Sequence, residues 1–326
     1  MSTVDVGSRG VALPVRGPAP GWWRLLVSRL ANALLVLWGA VTATFAALHL
    51  TGGDVVDAII GNNTQVTPEV RAQIVDDYGL GRPLWQQYLS YLGRLLRGDL
   101  GMSYQLQSPV TEAIGEHLPS TLTLMATATG LAVVATLLVA VTTARWPWIR
   151  TPVSTLEVAG VAVPQFWLAI LLLTVFSFGL RWLPLLNDGP AALVLPSIAL
   201  AVPVFGVLSQ VLREGLERAL EQPFATTVRA RGVRETALLL RHALRHAMAP
   251  ATTMLGLLVG GMAGGAVIVE QVFSRPGLGR LLLTAVNGKD IPVVLGVVTV
   301  TAAGYVVINL VVDLLYPVID PRLKEG

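Results

Sequence analysis

Apolar residues run through this chain in six long stretches, at about 25–50, 120–144, 155–180, 191–212, 251–273 and 292–318. Each is close to the roughly 20 residues a helix needs to cross about 30 Å of hydrocarbon. The pattern therefore predicts an all-α polytopic membrane protein with six transmembrane helices. Residues 1–23 are rich in Gly, Pro and Ser and lack apolar periodicity, which predicts a flexible tail. The first apolar run is too long for a signal h-region, so it reads as a first span over 24–50. Between it and the second run, residues 51–119 turn polar and acidic, with a helix expected over Pro68–Asp77 behind a Thr67 N-cap and another over 84–96. A segment of that length without order is uncommon. It is expected to be a partly helical external element that touches a partner or covers the pathway.

The most informative polar stretch is Glu221–Pro250, EQPFATTVRARGVRETALLLRHALRHAMAP, a basic segment between two apolar runs. Phe224 to Arg231 suits one short helix, stopped at Gly232, where a left-handed backbone conformation is needed. From Arg234 to Met248 a second, surface-lying helix is predicted, with Ala237, Leu240, Leu244 and Ala247 on its apolar stripe. Pro250 then marks the entry to the next run. The external connection after the fifth run ends in a short helix expected over 278–286.

Composition supports a membrane chain: 53% hydrophobic, 13% charged, with a mean hydropathy of +0.65. The basic balance reads as topology and not as nucleic-acid binding, because the arginines sit beside apolar runs. Arginine placement predicts that both termini and the 213–250 loop face the cytoplasm. Cysteine is absent, which excludes disulfides and thiolate chemistry. The only Gly-Lys pair, Gly288-Lys289, is followed by Asp290, so no phosphate loop is present. No cofactor, metal or catalytic group is assigned: His242 and His246 are four apart, but interface packing is favoured over chelation. Pro164, Pro196 and Pro203 interrupt predicted spans, either as bends near a pathway or as packing kinks. Gln165, Ser209, Gln210 and Asn309 are candidates to line that pathway, or to bond between helices. Glu157, Glu270 and Asp313 are expected near span ends, reaching water. Gly256, Gly260, Gly261, Gly264 and Gly265 offer a close-packing face for a partner permease or for the chain's own core.

Residue order adds a family resemblance. Phe224, Thr226, Thr227, Val228, Arg229, Ala230, Arg231 and Gly232, followed by His242-Ala243-Leu244-Arg245-His246-Ala247 and Pro250, resemble the cytoplasmic signature loop of ABC-importer permeases in its peptide-transporter form. Phe224, Thr226, Val228 and His246 depart from that family's commonest residues. Gly53-Asp54, Tyr78-Gly79-Leu80 with Arg82-Pro83, Gly98-Asp99-Leu100-Gly101 with Ser103, Pro109-Val110 and Leu118 to Leu122 are similar to the same pattern. So are Glu270 to Leu282, Asn309, Asp313, Tyr316 and Asp320-Pro321-Arg322, so that the resemblance runs from about Arg24 to Arg322.

The resemblance implies a type I ABC-importer permease fold with a core over 120–322, a coupling loop at 213–250 and a short tail at 323–326. It implies a homologous second permease, two ABC ATPase subunits carrying ATP and Mg, an extracytoplasmic substrate-binding protein, and a bacterial inner-membrane location. Phe224, Thr227, Arg229, Ala230, Arg231, Gly232, Arg241 and His242 would contact the ATPase. The cargo would be di- or oligopeptides, with nickel chelates, glutathione, haem or sugars as alternatives. An ion-driven carrier and a non-transporting membrane scaffold are the rivals from other classes.

Overall fold

The computed structural model describes residues 22–50, 55–60, 67–184 and 189–319. Among them the regular structure is helical, apart from one isolated bridge between Met102 and Pro109. The tails, Gly53-Asp54 and Asp320-Pro321-Arg322 lie outside the described residues, as do the side chains of Asp313 and Tyr316.

Helix α1 (Trp22–Leu50) is followed by α2 (Val55–Ile60), α3 (Pro68–Asp77) and α4 (Leu84–Leu95). Thr67 stands before α3 as expected, and the Glu69 carboxyl is held below its ordinary range by its own backbone N–H and by the Thr67 hydroxyl. Helix α5 (Val110–Arg145) begins ten residues before the apolar run, behind Pro109, and carries Pro119 inside it. At 1.5 Å per residue its 36 residues extend roughly 54 Å, well beyond the hydrocarbon thickness. The segment expected to be external, 51–119, therefore runs without a break into the second span. Val110, Ala113 and Ile114 in the first turns of α5 are buried against the elements that follow the fifth span.

The third apolar run is broken. Helix α6 (Arg150–Ala162) and helix α7 (Gln165–Leu172), with its π-helical continuation Leu173–Gly179, meet at 105°. Pro164 lacks an N–H and pushes Val163 out of the helical region to φ −74°, ψ 125°. Helix α8 (Ala191–Leu220) absorbs Pro196 and Pro203 without interruption. Of the three prolines expected to bend spans, only Pro164 breaks one. Among the described residues, five helices are long and apolar enough to cross a membrane, and the bent pair makes a sixth span if counted as one.

Helices α9 (Pro223–Ala230) and α10 (Glu235–Leu238) precede a π-helical stretch, Leu239–Ala243, that runs without a gap into α11 (Leu244–Val272). The expected separate surface helix over Arg234 to Met248, with Pro250 at the entry to the next run, is thus corrected: the helix is continuous and Pro250 lies inside α11. The extra residue per turn in the π stretch shifts the buried stripe to Leu238, Leu239, Ala243 and Ala247, leaving Leu240 half exposed. Helices α12 (Leu278–Asn287) and α13 (Ile291–Ile319) complete the chain.

One core cluster gathers Leu124, Ala128, Ala169, Leu195, Ala199, Met262 and Ala266 from α5, α7, α8 and α11. A second, of Ala140, Leu208, Leu212, Leu216, Ala219, Ala243 and Ala247, packs α8 on α11 at the end that carries α9. Helix α1 sits at the edge, burying Val41 and Phe45 against Tyr91, Ile291 and Leu295.

Candidate coupling loop and buried polar clusters

The turn from α8 to α9 follows from two residues. Gln222 is extended at φ −71°, ψ 152°, and Pro223 opens α9 where its missing N–H removes no bond. Helix α9 ends at Gly232, whose φ of +76° is the left-handed conformation expected of it. No atom lies within 4 Å of a Cβ built there, so the demand for glycine is conformational and not steric.

Helix α9 shows two faces. Ala225 is buried and Phe224 half-buried, its ring 4.7 Å from that of His246 on α11. Phe224, expected among the ATPase contacts, also ties α9 to α11 of its own chain. Thr226, Thr227, Arg229, Ala230, Arg231 and Gly232 are exposed, as are Arg241 and His242 across the loop. Arg229 is held to Glu235 through Nε at 2.7 Å and Nη2 at 3.4 Å.

No hydrogen bond joins any two of the four pathway candidates. Gln165 lies over Gly265, where a Cβ would fall 2.5 Å from its Oε1. Gln210 is half-buried. Asn309 donates to the Tyr305 carbonyl of its own helix at 2.9 Å. Ser209 is fully buried and donates to Glu157 Oε1 at 2.5 Å, an interhelical bond between α8 and α6. The small residues of α11 divide: Gly256 and Gly260 meet Val312 and Tyr305 of α13, Gly265 meets Gln165, and Gly261 and Gly264 face open space. Gly261 and Gly264 line an apolar groove of about 500 Å³ together with Leu122, Met125 and Ile308.

Glu157 and Glu270 do not reach water; both are 0% exposed. Burying a carboxylate requires compensation, and each finds its own. Glu157 lies 2.7 Å from Arg213 Nη1 of α8, whose side chain is only 13% exposed. That contact misses hydrogen-bond alignment, so charge holds the pair where geometry does not. Glu270 accepts from the Thr121 hydroxyl at 2.6 Å and from the backbone N–H groups of Gly279 and Arg280, capping α12. Asp290, buried before α13, accepts from Ser103 Oγ at 2.5 Å and from the N–H groups of Tyr104 and Gln105. Burial within this cluster raises the Tyr104 phenol to about 12. Sequence reasoning assigns no buried partner to Arg213, Thr121 or Asp290. The four-residue spacing of Ser209, Arg213 and Glu217 on α8 is the one local sign of a polar stripe.

Residues 132–325 match the family model described as binding-protein-dependent transport system inner membrane component, and residues 22–125 match its N-terminal companion. A Brucella abortus (strain 2308) protein, provisionally named a peptide transport system permease, is 35% identical over 311 residues, covering 92% of this chain and 98% of that protein. The glutathione transport system permease protein GsiC of Escherichia coli (strain K12) is 35% identical over 308 residues, with the same coverage of each chain. The chain belongs to the family of binding-protein-dependent transport system inner membrane components, the permease subunits of ABC importers.

Proposed function

We propose that this chain forms part of the translocation pathway of an ATP-driven importer for di- or oligopeptides, and that α9 is the element its ATPase grips. The observation that carries the reading is α9 itself. It is an eight-residue helix with Ala225 and Phe224 packed inward, and it presents Thr227, Arg229, Ala230 and Arg231 to solvent at the end of the buried α8. A helix seated firmly on one side and polar on the other can transmit the motion of a partner into its own bundle.

In this reading α9, both termini, Arg241 and His242 face the cytoplasm, and the segment containing α2 to α4 faces outward. ATP and Mg²⁺ are held by two ABC ATPase subunits; this chain is non-catalytic and binds no cofactor. A homologous second permease completes the pathway, and an extracytoplasmic binding protein delivers cargo. When ATP closes the ATPase pair, α9 moves with it and the spans rock between inward-open and outward-open states. The family match favours this reading over an ion-driven carrier or a scaffold.

The relatives keep two cargoes in view, peptides and glutathione, which is itself a tripeptide. Uptake of labelled dipeptide, pentapeptide and glutathione by vesicles holding the complete importer separates them. Gly232→Val, which forces a β-branched residue to a φ of +76°, is expected to abolish uptake while ATP hydrolysis continues. Undiminished uptake in that variant would count against α9 as the coupling element.

A further inference from the structure

We infer that Glu157 and Arg213 are positioning residues that clasp α6 to α8, so that α6 travels with the coupling helix and the third span flexes at Val163–Pro164. The inference rests on the reading of α9 given above.

The clasp runs the length of the α6–α8 contact. On α8, Val202, Gly206, Ser209, Arg213 and Glu217 recur at intervals of three and four and so share one face. Antiparallel α6 answers each in turn. A Cβ on Gly160 would stand 3.0 Å from Val202 Cγ1, and one on Gly206 would stand 2.7 Å from the Glu157 carbonyl oxygen, so the two backbones approach closely. Ser209 and Arg213 both hold the Glu157 carboxylate. At the α9 end, Arg150 Nη2 meets Glu217 Oε2 at 2.5 Å.

Polar contact of this kind resists sliding. Apolar side chains exchange neighbours at little cost, whereas moving α6 along α8 would carry a fully buried carboxylate away from its mostly buried cationic partner. Beyond Pro164 the contacts change character. Helix α7 packs through Ala169 and Leu172 into the apolar cluster with Met262 and Ala266, and Gln165 covers Gly265 of α11. One limb of the broken span is therefore pinned by charge to the helix that leads into α9. The other lies in apolar contact with α8 and α11 alike, with no charge to fix its register, and the 105° break separates the two limbs.

The native chain has no cysteine, so engineered pairs are unambiguous. A disulfide between Gly160→Cys and Val202→Cys would lock α6 on α8. In the complete importer in vesicles, the oxidised form is expected to keep at least half of the reduced form's uptake. Loss of uptake on oxidation, restored by reduction, would show that the two helices must separate and would overturn the inference. The double variant Glu157→Gln with Arg213→Met is expected to lower peptide taken up per ATP hydrolysed at least tenfold; an unchanged ratio would also overturn it. An activity-independent arm uses the purified complex carrying Arg213→Met. Amide hydrogen exchange across Arg150–Ala162 should rise at least tenfold, and an unchanged rate would refute the clasp. Should the unmodified importer show no ATP-dependent uptake, the reading of α9 fails, and the exchange measurement still judges the clasp.

Discussion

The Thr121 hydroxyl on α5 donates to the buried Glu270 carboxylate on α11 over 2.6 Å, and its oxygen accepts the backbone N–H of Leu278 at 2.8 Å. One side chain thereby closes the start of α12 against the end of α11. Gly277 completes the corner: a Cβ there would lie 2.2 Å from the carboxylate carbon. Its φ of −122° suits any residue, so this glycine is required for space alone.

Glu270→Ala leaves the Thr121 hydroxyl and the N–H groups of Gly279 and Arg280 without their acceptor. The expected cost is about 3 kcal/mol, the range for buried donors left unpaired. Thermal unfolding in detergent measures it, and Gly277→Ala should shift the midpoint in the same direction by displacing the same carboxylate.

Asp290→Ala should release the loop from Gly98 to Pro109. The carboxylate is the shared acceptor for Ser103, Tyr104 and Gln105, so local opening becomes easier by about 2 kcal/mol, or roughly 30-fold in amide exchange. Hydrogen exchange at Tyr104 and Gln105 reads this directly, and the exchange of α9 should be unaffected.

Phe224→Ala removes the ring that meets His246 at 4.7 Å and packs against the apolar cluster shared by α8 and α11. For a half-buried ring the loss is about 2 kcal/mol, below the 3–5 kcal/mol of a fully buried one. Helix α9 should become susceptible to protease while the spans stay folded. Arg231→Ala, on the exposed side, should leave proteolysis unchanged.

Two neighbouring glycines on α11 should behave oppositely. A Cβ at Gly260 would lie 2.3 Å from the Tyr305 ring, so Gly260→Ala must displace α13 or the ring, at about 1–3 kcal/mol. Adding Tyr305→Ala should relieve the clash. A Cβ at Gly261 would meet nothing within 4 Å outside its own helix, and Gly261→Ala should stabilise the isolated chain by up to about 1 kcal/mol through helix propensity. Melting of the purified chain distinguishes the pair.

How much the sequence alone could determine depended on how local the cause was. The apolar runs, the helix at Pro68–Asp77, the short helix ending at Gly232 and the helix near 278–286 all come from signals within a few residues: hydropathy, a capping threonine, a glycine free to take positive φ. The tertiary structure decided which proline breaks a span, since Pro164, Pro196 and Pro203 look alike in sequence and only Pro164 ends its helix. It also decided the fate of the acids. Whether Glu157 and Glu270 reach water depends on Arg213, Ser209, Thr121 and the start of α12, partners far along the chain that no spacing rule brings together. The π stretch at Leu239–Ala243 turned the buried stripe away from Leu240 for a similar reason. Burial is settled by which neighbour a helix face meets, and periodicity shows only that some face is apolar.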